Sequence, residues 1–330
     1  MSSMIRVGMI GLGKMGSGMA LNIARAGFPL SLHDCEEGRA SELRQDWMKS
    51  GKLATGPGGL CTPNLHLHSS AADVMLASDV CLMCVHTEEQ TIEVLAGEDG
   101  LLTVGAREMK DKIIVDHGTV SPKFARKIAE TVEEGGGSFL DAPISGGPLG
   151  AKEGTLSIMV GGKDEDFERC LPVLEAMGSR VEHMGPAGSG AAAKLVNQHL
   201  VCSNTVAACE AYVLSRRLGL RDTGKLQSIL EASWGNSRML ELNLKDLQSV
   251  EASEEGFEIL RRSPAPIRTL AKDSVIVSRA VEECGAPTPV FGAARKQMDV
   301  AVKAGFSDCS HAAVAAVMEK GSTSSCNEKE

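Results

Sequence analysis

Gly11-Leu12-Gly13-Lys14-Met15-Gly16 sits directly between a short apolar run, Ile5 to Ile10, and a helical stretch carrying Met19, Ala20, Ile23 and Ala24 to Gly27. A strand, a glycine turn and a helix in that order predict a dinucleotide-binding βαβ unit. Gly11 permits the tight turn, Gly13 lets backbone approach a pyrophosphate, and Gly16 allows close helix–strand packing, while the first helical amides attract the anion. Leu12, Lys14 and Met15 lie between these glycines and are expected to line the same cofactor. A second strand, Pro29 to His33, ends in Asp34, 18 residues beyond Gly16. That is close to the offset of ~20 expected for an acid that takes ribose hydroxyls. The carboxylate favours NAD. Cys35, Glu36 and Glu37 follow with no adjacent base, and Arg39, with Ser31 and His33 nearby, keeps NADP open.

Strand-like and helix-like segments alternate up to about residue 186, which predicts an α/β fold: a Rossmann-type, doubly wound, mostly parallel sheet. Strands are expected at Leu65 to His68, Asp79 to Val85, Lys112 to Asp116, Ser138 to Ala142, Leu156 to Val160 and Arg180 to His183, with helices such as Lys123 to Glu134 and Glu165 to Met177 between them. Gly51 to Asn64, rich in Gly and Pro, reads as a long surface loop. From Ala191 to Leu218 runs a continuous helix of 28 residues, about 42 Å long at 1.5 Å per residue. It joins an all-helical C-terminal part. The expected division is a dinucleotide-binding domain over 1–187 and a helical substrate and dimerisation domain over 188–330, with a polar tail from about residue 320.

With 34 basic and 43 acidic residues the net charge is −9, which disfavours nucleic acid and anionic membrane surfaces as partners. No apolar run reaches the ~18 residues a membrane span needs. Only Met1 to Met4 precede the first strand, too little for a leader, so a cytoplasmic protein is expected. The 10 cysteines are scattered through predicted strands and helices and read as buried, reduced thiols. Cys81 and Cys84 have C-x-x-C spacing but lie in the apolar run Val80 to Val85, and no His or Asp cluster accompanies them. No metal is expected.

Two further stretches carry chemistry. Gly188-Ser189-Gly190 opens the long helix, and helical spacing then sets Lys194, Asn197, Gln198 and Val201 on one face. A lysine in so alanine-rich a helix is either a solvated surface residue or an acid–base group facing a substrate oxygen. Asp141-Ala-Pro143-Ile-Ser145-Gly146-Gly147 ends a strand. It is either a plain turn or, through the Ser145 hydroxyl and the glycine amides, a seat for a carboxylate.

Gly11 to Gly16, Asp141 to Gly147, Gly188 to Gln198 and Lys272-Asp273, in this order, resemble the β-hydroxyacid dehydrogenases, the group that includes 3-hydroxyisobutyrate dehydrogenase, over about Met4 to Met318. The resemblance implies a Rossmann domain and an all-helical domain joined by a long helix, with the active site in the cleft. It implies Lys194 as the catalytic lysine, Asn197 and Gln198 as substrate contacts, and Ser145, Gly146 and Gly147 as the carboxylate site. Cofactor contacts fall on Val85, His86, Gln90, Thr119 and Lys272, and Trp234 to Ser237 lie where the family closes over substrate. Departures are Val85-His86, where the family has Leu-Pro, and Gly118, where it has serine.

The implied reaction is the NAD(P)-dependent interconversion of a small β-hydroxy acid and its semialdehyde or keto acid. Alternatives are an NADPH-dependent reductase of glyoxylate, tartronate semialdehyde or succinate semialdehyde, and a catalytically silent dinucleotide-binding protein. The alanine-rich helices Asn204 to Leu218 and Val290 to Val302, with the family's habit, imply a homodimer or homotetramer. Asn236, Ser237 and Arg238 suggest either a substrate with extra polar groups or a capped helix start.

Overall fold

Four short runs, Val7–Ile10, Leu30–His33, Val80–Met83 and Ile113–Asp116, are buried at almost every position, the pattern of parallel strands covered by helices on both faces. The computed structural model describes residues 4–49, 54–56, 59–61 and 65–324. Its strands are β1 (Val7–Ile10), β2 (Leu30–His33), β3 (Ala54–Gly56), β4 (Gly59–Cys61), β5 (Leu65–Leu67), β6 (Val80–Met83), β7 (Ile113–Asp116), β8 (Ser138–Asp141), β9 (Ile144–Ser145), β10 (Leu156–Gly161) and β11 (Gly178–Gly185). Its α-helices are α1 (Gly16–Arg25), α2 (Arg39–Lys49), α3 (Ala71–Ala77), α4 (Glu88–Ala96), α5 (Ala106–Met109), α6 (Pro122–Glu134), α7 (Gly147–Glu153), α8 (Asp164–Glu175), α9 (Ser189–Arg217), α10 (Thr223–Glu231), α11 (Arg238–Glu251), α12 (Ile267–Cys284), α13 (Pro289–Ala301) and α14 (Val314–Ser324).

Six strands pair in parallel in the order β5-β2-β1-β6-β7-β8. This is the doubly wound order, with its reversal beside β1, where the glycine turn leaves the sheet. Beyond β8 the direction changes. β10 meets β8 antiparallel, Gly161 opposite Asp141, and pairs antiparallel with β9 and parallel with β11.

Alternate side chains feed two apolar layers, as the period of two in a strand requires. Met9, Leu32, Leu82 and Val115 share one layer with Met19 and Ile23 of α1. Ile10, Cys81, Met83 and Ile114 share the other with Val74 of α3 and Ile128 of α6. Each fully buried side chain of this size contributes roughly 1.5–3 kcal/mol, so the sheet centre is the rigid platform from which the site loops leave.

Contacts divide the chain into Met1–Lys194 and Leu195–Glu330, a division inside α9; the expected boundary at 187/188 lies just ahead of that helix. In the second unit, Cys202, Val206 and Tyr212 of α9 pack with Leu244 of α11, Leu270 of α12 and Met298 of α13. Leu214 and Leu218, and Val290 and Val300, are exposed.

Two expectations are corrected. The stretch 51–64 is not all loop, because β3 and β4 pair antiparallel, Ala54 with Cys61 and Gly56 with Gly59; its other residues lie outside the described ones. The polar tail begins later than expected, since α14 continues to Ser324. A single Gly321 costs a helix only ~1 kcal/mol, and the apolar start of α14, with Val314 and Ala315 fully buried, anchors its later turns; residues 325–330 lie outside the described ones. Among the described residues no helix is long and apolar enough to cross a membrane.

Candidate functional site

The glycine turn has the geometry its sequence requires. Gly11 has φ +85°, and a Cβ there would fall 2.5 Å from the Cys84 carbonyl oxygen. A Cβ on Gly16 would overlap the Gly11 carbonyl oxygen, whereas one on Gly13 would meet nothing within 4 Å. The helix start packs on the turn while the turn itself opens outward. Leu12 is buried, Met15 half-buried and Lys14 exposed. The first turn of α1 carries no acidic side chain and Met15 provides no side-chain cap, so its amides suit an anion. These residues fit a dinucleotide pyrophosphate.

Asp34 belongs to the same structure. Its side chain is 3% exposed and faces Arg39 across 3.1 Å. Oδ2 accepts from the Leu12 amide at 2.6 Å and Oδ1 from the Glu36 amide at 2.8 Å. The acid after β2 therefore holds the glycine turn in place. Arg39 also pairs with Glu36.

The loops after β6 and β7 carry the other expected cofactor contacts. Val85 is half-buried, and His86 and Gln90 are exposed. The His86 amide donates to Gln90 Oε1 at 2.8 Å, and Thr87 caps α4 by accepting from the Gln90 amide at 3.2 Å. Thr119 is half-buried. Gly118 has a local reason: its amide donates to Asp116 Oδ1 at 2.8 Å, and a Cβ there would lie 3.0 Å from that oxygen. The serine of the family pattern would crowd this carboxylate.

Ser145 pairs with Ser157 in the sheet, Gly146 comes next, and Gly147 opens α7. Lys194 comes to this segment. It is 6% exposed, and its Nζ donates to the Ile144 carbonyl at 2.7 Å. Of the two readings of this lysine, the solvated one is excluded. The start of α9 is held by Asp141, whose Oδ1 accepts from the Gly188 amide and Oδ2 from the Ala191 amide, each at 2.7 Å. Burial pushes the Asp141 carboxyl above the usual carboxylate range while these amides oppose the shift.

In the second unit, Gln198 is 7% exposed. It accepts from Asn197 Nδ2 at 2.8 Å and donates through Nε2 to Asp273 Oδ2 at 2.6 Å. Lys272 Nζ lies 3.0 Å from Asp273 Oδ1. Trp234 is fully exposed. Ser237 caps α11 by accepting from the Leu240 amide at 3.1 Å, and Asn236 and Arg238 both reach Glu241, at 3.1 and 2.7 Å. The helix-start reading of these polar residues therefore holds, and with it goes the sequence argument for a more polar substrate.

Sequence reasoning missed three residues. Asp141 and Asp273 were inside the motifs but had no role; an acid at a strand end, with Gly188 and Gly190 far along the chain, was the available signal for the first. The third, His117, is 3% exposed. Its Nδ1 lies 2.7 Å from the Ala142 carbonyl, so Nδ1 carries the proton. Its Nε2 meets no hydrogen-bond partner among the described residues, and burial pushes its pKa down to about 4. Burial likewise pushes the Cys81 thiol up to about 12, which suits a core residue. Among the described residues no group of three or more His, Cys, Asp or Glu is placed to hold a metal ion.

Sheet order and glycine turn together define a dinucleotide-binding protein. Comparison with known proteins narrows this. Residues 6–185 match the NAD binding domain of 6-phosphogluconate dehydrogenase, and residues 188–318 match the family described as NAD-binding of NADP-dependent 3-hydroxyisobutyrate dehydrogenase. The chain is 35% identical over 239 residues to the 2-hydroxy-3-oxopropionate reductase of Escherichia coli, covering 72% of this chain and 74% of that protein. It is 34% identical over 235 residues to the mitochondrial 3-hydroxyisobutyrate dehydrogenase of Bos taurus, covering 71% of this chain and 64% of that protein. The solved structure of Mycobacterium tuberculosis 3-hydroxyisobutyrate dehydrogenase with L-serine superposes with a TM-score of 0.78 at 26% identity, covering 96% of this chain and 99% of that one. The chain belongs to the β-hydroxyacid dehydrogenase family, whose enzymes use a nicotinamide cofactor.

His117 makes stability depend on pH. Its folded pKa of about 4 lies below the unfolded value of ~6.5, so between these values the unfolded chain binds a proton that the folded one refuses. Its stabilising contribution is fully present above ~6.5 and falls as pH drops toward ~4, by on the order of 3 kcal/mol. Thermal unfolding of the wild type should therefore lose more stability from about pH 7 to about pH 4.5 than that of His117→Gln, which lacks the titrating ring. Parallel pH curves for the two proteins would contradict this.

Proposed function

We propose that this protein interconverts a small β-hydroxy acid and its semialdehyde or keto acid, with a nicotinamide dinucleotide as redox partner and Lys194 as general acid and base. The observation that carries the reading is the buried Lys194 amine, 2.7 Å from the carbonyl of Ile144, the residue directly before Ser145-Gly146-Gly147. A bound nicotinamide supplies the hydride acceptor for oxidation and the donor for reduction. Lys194 takes the hydroxyl proton during oxidation and returns it from the ammonium during reduction. The Ser145 hydroxyl and the amides of Gly146 and Gly147 hold the substrate carboxylate, which fixes the carbon that exchanges hydride. Asn197 and Gln198 contribute hydrogen bonds to substrate, and Gln198 is itself oriented by Asp273.

The proposed cofactor residues are Gly11 to Gly16 and Asp34, with Val85, His86, Gln90, Thr119 and Lys272 completing the set. NAD is the proposed partner, because the Asp34 carboxylate accepts ribose hydroxyls and repels a 2′-phosphate. A second reading, reduction of a small aldehyde acid with NADPH, is favoured by the likeness to 2-hydroxy-3-oxopropionate reductase and by the guanidinium of Arg39 at 3.1 Å from Asp34. The two readings share Lys194 and differ in direction and cofactor.

Lys194→Ala should lower kcat by roughly 10²–10⁴-fold while dinucleotide affinity survives. Steady-state kinetics beside a binding titration check this, and an alanine variant with near-normal kcat would remove Lys194 from the acid–base role. For the cofactor, the wild type should have the higher kcat/KM with NAD. Asp34→Ser, which removes one of the carboxylates beside Arg39, should shift the NAD-to-NADP ratio toward NADP by about tenfold or more. A wild-type preference for NADP would overturn the NAD assignment and favour the second reading.

A further inference from the structure

Asp141 is the last residue of β8 and is 1% exposed. Helix starts are ordinarily capped by a neighbouring Ser, Thr, Asp or Asn. Here the cap comes from 47 and 50 residues away in sequence, and it is doubled: one carboxylate oxygen takes the Gly188 amide and the other the Ala191 amide. The surroundings are built to admit it. A Cβ on Gly161 would lie 2.6 Å from Asp141 Oδ1, and one on Gly190 would lie 2.5 Å from the Asp141 carbonyl oxygen. Glycines on both β10 and α9 thus leave the space that the carboxylate and the first turn of the helix occupy.

The same short stretch of chain is pinned a second time. Three residues after Asp141, the Ile144 carbonyl accepts from Lys194 Nζ at 2.7 Å, and Lys194 is three residues after Ala191. A bidentate cap fixes both how far α9 advances along its axis and how it is rotated, since either motion breaks one of two hydrogen bonds. A helix side chain turns by about 100° for each residue of slip, so loss of this register would carry Lys194 away from the Ser145 segment.

We propose that Asp141 is a positioning residue that sets the place of the Lys194 amine through the start of α9. This rests on the reading of Lys194 as the acid–base group. Asp141 acts on the reaction only through Lys194, so its effect on turnover vanishes where that amine is absent.

The test is a double-mutant cycle on the full chain with 3-hydroxyisobutyrate and NAD, measuring kcat, KM, dinucleotide affinity and thermal unfolding for Asp141→Asn, Lys194→Ala and the double variant. Asn offers one acceptor and turns an NH₂ group toward the second amide. Asp141→Asn should lower kcat by roughly 10²-fold, the scale of a misplaced reacting group, with dinucleotide affinity unchanged. In the Lys194→Ala background the same change should lower kcat no further. An equal fold-loss in both backgrounds indicates a purely structural role and overturns the inference, as does an unchanged kcat in Asp141→Asn. A near-normal kcat in Lys194→Ala alone is a different failure, that of the acid–base reading. If Asp141→Asn does not fold, Asp141→Ser replaces it in the cycle, because a hydroxyl keeps one of the two amides satisfied without a donor set against them, and the same non-additivity is expected.

Discussion

A buried carboxylate is an expensive thing to place in a protein, and the join between the sheet and the long helix depends on one, Asp141. Taking such a group out of water costs several kcal/mol. Two backbone hydrogen bonds to a charged acceptor return about 1.5–3 kcal/mol each. Burial pushes the Asp141 carboxyl up while the backbone amides around it oppose the shift. What the arrangement contributes is register, because the first turn of α9, the end of β8 and the turn into β9 share one set of hydrogen bonds.

The cofactor end of the first unit is built on the same plan. Asp34 accepts from the Leu12 amide, so the acid expected to select the ribose also braces the turn expected to bind the pyrophosphate. A substitution at Asp34 therefore touches the shape of the turn and, on the proposed cofactor site, the charge facing a 2′-substituent. Arg39 sits against that carboxylate and against Glu36.

Most of the fold was legible because its signals are local. The glycine turn, the apolar strand runs and the long alanine-rich helix each declare themselves within a dozen or so residues, and the observed α9, Ser189–Arg217, differs from the expected Ala191 to Leu218 by two residues at its start and one at its end. The ribbon of β3 and β4 was missed because three-residue strands carry too little alternation to stand out from a Gly/Pro-rich loop. At the candidate site, the positions of Lys194 and Ser145 to Gly147 came from motif and likeness. The partners of Asp141 did not, because hydrogen bonds to backbone amides some fifty residues away leave no side-chain signature. His117 was hidden for a related reason: a histidine at a strand end looks polar until the fold closes over it. The polar residues 236–238 show the opposite case. Their types suggested recognition of a polar substrate, and the structure uses them to start and hold α11. Side-chain chemistry alone does not distinguish a helix cap from a binding group; the identity of the near neighbour, here Glu241, does.

If the buried lysine and the glycine turn serve turnover of a hydroxy acid against a nicotinamide, the protein must exchange hydride with a substrate of that class. The most direct test monitors reduced nicotinamide by absorbance while purified protein is offered NAD or NADP with 3-hydroxyisobutyrate, glycerate, threonate and 4-hydroxybutyrate, and NADH or NADPH with tartronate, succinate and methylmalonate semialdehydes. Turnover is expected with at least one hydroxy acid or its oxidised partner, and it should fall by roughly 10²–10⁴-fold in Lys194→Ala. Dinucleotide binding with no turnover across the whole set would contradict this and leave a silent dinucleotide-binding protein.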